Sequence, residues 1–172
     1  MSRRTLSYDR EASVVVLTHS DDPPSDPEWG EYVQYLCSQP MGGVIVFAGR
    51  SPPDARQRRH LTEGIRAAAV DPSRPVAVVA RSRVDRSIIT ALSWFAGNYK
   101  AIAPNDVENA FDHVGASGPD RAAIACRAVQ CRARLFDVDF ETTNLSFERA
   151  SDLLRLPLGE FSEAICHQRS VS

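Results

Sequence analysis

The sequence predicts an α/β fold: a sheet of four sequential, mostly parallel strands plus an N-terminal hairpin strand, followed by a helical C-terminal extension. Three observations predict it. Short apolar runs at 13–18, 43–48, 76–80 and 99–102 suit strands covered on both faces. The segments between them space their apolar residues as helices do, and strands alternating with helices imply parallel pairing and right-handed crossovers. Beyond residue 119 the apolar residues again recur mainly at helical spacing.

Residues 5–8 read as a short strand, Asp9, Arg10 and Glu11 as a polar turn, and 13–18 as the partner strand of a hairpin. After the loop at 20–25, Asp26 is the expected N-cap of a helix with Pro27 at its first position and Glu28 in its first turn. Trp29, Tyr32, Val33 and Leu36 fall on one stripe, and Pro40 ends the helix. The strand 43–48 leads through Gly49-Arg50-Ser51-Pro52-Pro53-Asp54 into a second helix that buries Leu61, Ile65 and Ala68. Ser51 is its expected capping hydroxyl.

The strand 76–80 is followed by Arg81-Ser82-Arg83 and a helix carrying Val84, Ile88, Ala91, Leu92 and Phe95, stopped at Gly97-Asn98. After the strand 99–102, Asn105 or Asp106 caps a helix with Val107, Ala110, Phe111 and Val114 inward. Residues 115–119 read as a linker, so 1–115 form the α/β domain and 116–172 the mainly helical extension. Within the extension helices are expected at 120–135 and 147–156, a short strand at 136–140, and a last turn or two at 160–167. Leu153, Leu154, Leu156, Leu158, Phe161 and Ile165 are too many apolar groups to leave in water, so the extension should pack on the core or on a partner.

The chain has 172 residues, with 20 basic against 22 acidic side chains and a formal net charge of −2. Such a balance provides no global field for nucleic acid or acidic membranes. No apolar run approaches the roughly 20 residues that span a bilayer. Cys37, Cys126, Cys131 and Cys166 fit no zinc spacing, and reduced thiols in a cytosol are the economical reading.

Chemistry-bearing motifs are sparse. His19, His60, His113 and His167 form no His-x-x-x-His or Glu-x-x-His pair, and no Gly-x-Ser-x-Gly, Walker A or Gly-x-Gly-x-x-Gly occurs. The expectation is therefore no catalysis, no cofactor and no metal. The carboxyl ends of parallel strands are where α/β proteins place binding loops. Sequential strand order would bring together His19, Ser20, Asp21 and Asp22, then Gly49, Arg50 and Ser51, then Arg81, Ser82 and Arg83. Arg50, Arg81 and Arg83 beside helix N-termini suit a carboxylate, a phosphorylated segment or an acidic partner helix. The bland reading is that these arginines pair internally with Asp21, Asp22 and Asp85, or are solvated like Arg56, Arg58, Arg59 and Arg66 of the second helix.

The initial hairpin, Asp26-Pro27-Glu28-Trp29, Gln57-Arg58, the segment from Thr90 to Phe95 and the segment from Ala101 to Pro104 resemble the STAS superfamily, whose best-known members are anti-sigma-factor antagonists. More closely they resemble the divergent STAS-like domains of the myxobacterial type. The resemblance covers residues 5 to about 115. It implies a STAS-like sheet and a non-enzymatic protein-interaction or regulatory signalling module with a protein partner. Where the antagonists carry Asp-Ser-Ser-Gly, this sequence reads Gly49-Arg50-Ser51-Pro52-Pro53, which places Ser51 near the serine phosphorylated in that family.

Two other classes compete with it, and a third is excluded. A response-regulator receiver needs an acceptor aspartate, which Val46-Phe47-Ala48 does not offer. Leu17-Thr18-His19-Ser20-Asp21-Asp22 followed by Trp29 echoes the opening of TIR-type domains, whose enzymatic members cleave NAD, but no counterpart of their catalytic glutamate lies near 87–95. A small-molecule-sensing STAS-like domain is the other competing class.

Overall fold

A two-residue turn at Ala12 and Ser13 folds the N-terminus into an antiparallel hairpin, β1 (Leu6–Glu11) on β2 (Val14–His19), registered from Leu6 opposite His19 to Glu11 opposite Val14. Ala12 takes a positive φ of 51°, a conformation non-glycine residues adopt at a cost. The structure, a computed structural model, describes residues 4–83, 85–86 and 97–169.

Three further strands follow in parallel. β3 (Gly43–Phe47) lies beside β2, β4 (Val76–Val79) beside β3, and β5 (Tyr99–Ile102) beside β4, so that the spatial order is the chain order. The expected hairpin and sequential parallel sheet are therefore present. The helix expected around Val84, Ile88, Ala91, Leu92 and Phe95, and the segment from Thr90 to Phe95, lie outside the described residues.

Alternation along β2 and β3 builds two cores. Val15, Leu17 and Val44 face Trp29, Tyr32, Val33 and Leu36 of α1 (Asp26–Ser38), with Leu61 and Ile65 of α2 (Ala55–Ala67) packed at the margin. Val14, Val16, Ile45 and Phe47 face the other way. Crossovers of one hand between strands laid down in order put successive helices on one face. The opposite face must be buried by something else, and the C-terminal helices do it.

These are α3 (Glu108–His113, after a 3₁₀ turn at Pro104–Asp106), α4 (Gly118–Arg134), α5 (Phe147–Arg155) and α6 (Leu158–Arg169). Phe111, Ile124, Leu153, Leu154, Phe161 and Ile165 share one core with the sheet. The extension thus packs on the strands, and α4 runs over β1 and β2.

Several local expectations are corrected. Asp9, Arg10 and Glu11 are strand, not turn. Arg127 of α4 pairs with Glu11 at 2.8 Å and with Asp9 at 3.4 Å, and Arg134 pairs with Asp9 at 3.2 Å, so tertiary ion pairs stabilise polar residues in a strand. The N-cap of α1 is Ser25, whose hydroxyl accepts from Glu28 N; Asp26 lies in the first turn. The cap of α2 is Asp54, in a capping box with Gln57, and not Ser51. Ala68 is exposed. Residues 136–140 form no strand: Asp137 at φ 56° closes α4, and Val138 and Phe140 plug the core. Gly118 and Pro119, expected in a linker, open α4.

No helix among the described residues is long and apolar enough to cross a membrane.

Candidate functional site

Parallel strands in sequential order carry their carboxyl ends, at His19, Phe47 and Val79, to one edge. The loops leaving β2 and β3 there touch directly. Arg50 N donates to Asp21 Oδ1 at 3.2 Å, Ser51 Oγ donates to the Asp21 carbonyl at 2.9 Å, and Arg50 Nε lies 3.6 Å from Asp21 Oδ2. Gly49 makes this approach possible: a Cβ there would lie 1.7 Å from the carbonyl oxygen of Ser20, so only glycine fits. Ser20 is buried, and its hydroxyl accepts from Asp22 N at 3.1 Å, tightening the loop.

The third loop sits beside them. The Ser82 hydroxyl accepts from Asp85 N at 3.2 Å, as a capping serine does. Arg86 folds back to donate to the carbonyls of Ala80 and Arg81, both at 2.7 Å. Arg81 reaches the carbonyl of Arg155 at the end of α5. Partial burial lowers its pKa from the ordinary arginine range, opposed by the nearby carboxylates of Glu160 and Asp21. Arg83 is exposed.

The expected site residues thus divide. Asp21, Arg50 and Ser51 are brought into contact, with Arg81 close enough to feel Asp21. The Arg50–Asp21 pair is part of the internal pairing the bland reading expected. It is an open one, with side chains 86 % and 47 % exposed, and such pairs stabilise little. The Asp22 carboxylate has no partner among the described residues. His19 is not at the surface. The residue is 6 % exposed, its ring lies 6.2 Å from that of Trp29 on the α1 side of the sheet, and burial pushes its pKa down to about 4.

One residue was missed by sequence reasoning. Arg132 on α4 is 6 % exposed and lies behind the edge, donating to the carbonyls of Leu153, Leu154 and Leu156 at 3.3, 3.0 and 2.8 Å. Its guanidinium covers the Phe161 ring at 4.8 Å. Desolvation, with the charge of Arg81 adding to it and Asp21 opposing it, lowers its pKa to about 9. The signal was its spacing: Ala125, Ala128, Val129 and Arg132 fall at i, i+3, i+4 and i+7, on the buried stripe of α4.

No protein-family model and no curated protein matches the chain. What the arrangement can do rests on its chemistry. Arg50, with its open pair to Asp21, stands at one edge with the exposed Arg83 and with Arg81, which is held on the Arg155 carbonyl near Glu160 and Asp21, and a buried cation lies behind them. Guanidinium groups so placed have the chemistry to pair with carboxylates or phosphates. A cleft of about 160 Å³ between α1 and α2, lined by Asp26, Trp29, Arg56, Gln57 and His60, is below the roughly 300 Å³ at which pockets for drug-sized ligands begin.

Proposed function

We propose that the chain is a non-enzymatic interaction module of STAS-like type, acting in cytoplasmic regulatory signalling. It engages an acidic or phosphorylated surface of another protein at the carboxyl edge of its parallel strands. The observation that carries this reading is the abutting of the edge loops, with Arg50 extended into solvent and Asp21 the nearest counter-charge. A guanidinium as exposed as that of Arg50 adds little to folding and is available to a partner, and its bond to an anion strengthens as the partner excludes water from it. Ser51, whose hydroxyl is held on the Asp21 carbonyl, is the residue at which phosphorylation would regulate that surface: added negative charge beside Arg50 would compete for the arginines.

The test is binding of acidic and phosphorylated peptides to the wild type and to the R50A/R81A/R83A variant. The expected result is loss of binding with a melting temperature lowered only by the lost Arg81 bond to the Arg155 carbonyl, and loss of binding in R50A with an unchanged one. Unchanged binding with a lowered melting temperature would return the arginines to structural duty, and release of nicotinamide on incubation with NAD would overturn the non-enzymatic reading.

A further inference from the structure

Charge is segregated along this chain and across its sheet. Residues 50–86 carry nine arginines against four carboxylates, and residues 137–163 carry seven carboxylates against two arginines. The fold sets α2, which carries Arg56, Arg58, Arg59 and Arg66, on one face of the sheet and the 137–163 stretch on the other, while Arg50, Arg81 and Arg83 lie at the strand edge. α2 packs with Val15, Leu17 and Val44 on one side of the sheet, while Val138, Phe140, α5 and α6 pack with Val14, Val16 and Ile45 on the other.

Arg59 and Arg66 lie two turns apart on α2, about 10 Å along the axis. Gln57, the buried residue of that helix, is on the side away from them, so both arginines point outward. Both are exposed, and neither guanidinium has a hydrogen bond or ion pair among the described residues; Glu63, also exposed, lies between them, and the face is net basic. On the far side Asp137, Asp139 and Glu141 alternate with buried Val138 and Phe140, so their carboxylates face solvent, and Glu148 follows on α5. None of these four carboxylates has an ion-pair partner among the described residues.

We propose that the outward face of α2 docks on the 137–148 face of a second copy of this chain. The two faces differ on each molecule, so the contact is heterologous: each copy offers an arginine face at one side and a carboxylate face at the other, and the association extends head to tail. Exposed ion pairs contribute little individually, so the assembly is weak and strongly salt-dependent. It involves none of the strand-edge arginines and is independent of anionic-peptide binding there.

The experiment is sedimentation velocity of the full chain over a concentration series at low and high salt, with two charge-reversed variants, R59E/R66E and D139R/E141R. At low salt the weight-average mass of the wild type is expected to rise at least about twofold with concentration, and at about 1 M salt, where the Debye length is about 3 Å, to return to that of one chain. Each variant alone should keep the mass of one chain. Their equimolar mixture should associate again, because each reversed face then meets its complement. A wild type that keeps the mass of one chain at every concentration in low salt overturns the proposal. So does association undiminished in either variant, or a mixture that fails to associate.

Discussion

Trp29 of α1 donates its indole N–H to the main-chain carbonyl of Gln57 on α2, 2.8 Å away. The Gln57 side chain donates to the Pro24 carbonyl at 2.9 Å and to Asp26 Oδ1 at 3.0 Å, and it accepts from Asp54 N at 3.0 Å. One buried glutamine therefore ties the start of α1 to the start of α2. Residues 26–29 and 57–58 are among those on which the STAS-like resemblance rests. They meet in a structural joint beneath the edge loops rather than in an exposed reactive site, and a joint of this kind supports a fold more than an activity.

Replacing Trp29 by phenylalanine keeps an aromatic ring in the core but removes the donor and leaves a gap. The expected loss is about 1–3 kcal/mol in urea unfolding. A loss below about 0.5 kcal/mol, the range of inert surface substitutions, would show that the joint contributes little.

Gly49→Ala should be the most damaging change at the candidate site. The new methyl group would meet main-chain oxygen rather than a side chain that can swing away. The β2 and β3 loops must separate, at a cost of about 3 kcal/mol or more. Anionic-peptide binding should fall with Arg50 still present, because Arg50 N and Ser51 Oγ lose their anchors on Asp21. A melting temperature equal to that of the wild type would contradict the close approach.

Arg132→Met keeps most of the volume and removes the cation that gathers three carbonyls at the end of α5. The Leu154 and Leu156 carbonyls lose this donor, Leu153 keeps the Leu156 N–H, and the helix loses a charge that complements its dipole, for about 2–4 kcal/mol. Arg132→Lys should recover little, since one ammonium cannot reproduce the planar fork. Thermal melting of the two variants decides this; a methionine variant as stable as the wild type would mean that the buried charge contributes nothing net.

The strands were legible wherever they are buried. β2 and β3 have apolar neighbours on both faces, and that compels the runs Val14–Leu17 and Val44–Phe47. β1 was only half legible, because Asp9 and Glu11 are held in the strand by arginines 116 to 125 residues further along, a distance that no local pattern spans. Ser51 reads as a cap because a serine before prolines satisfies the local rule, but Asp54 and Gln57 satisfy it reciprocally. Asp21, Arg50 and Arg81 could be placed at one edge from strand order alone. Arg132 could not be joined to them, since its position depends on how α4 crosses the far face.

His19 gives the fold a pH dependence of definite sign. Neither ring nitrogen makes a hydrogen bond among the described residues, and burial pushes the pKa from 6.5 down to about 4. In the unfolded chain the imidazole takes a proton below about pH 6.5, but in the folded chain only below about pH 4. Between those values the unfolded state holds more protons, so stability falls as pH falls. At about 1.4 kcal/mol for each pH unit between the two values, the loss approaches about 3 kcal/mol and levels off below pH 4. His19→Phe should abolish this component, since an aromatic hydrocarbon suits the site beside Trp29. The difference in unfolding free energy between variant and wild type should therefore grow as pH falls from 6.5 to 4. Burial raises the Glu28 pKa, but bonds from Ser25 and Thr5 outweigh it and lower the value. Glu28 therefore acts at lower pH, and being present in both proteins it cancels in the difference. A His19 ring titrating near 6.5 by NMR in the folded protein would show that the imidazole reaches water, and the pH dependence would then need another source.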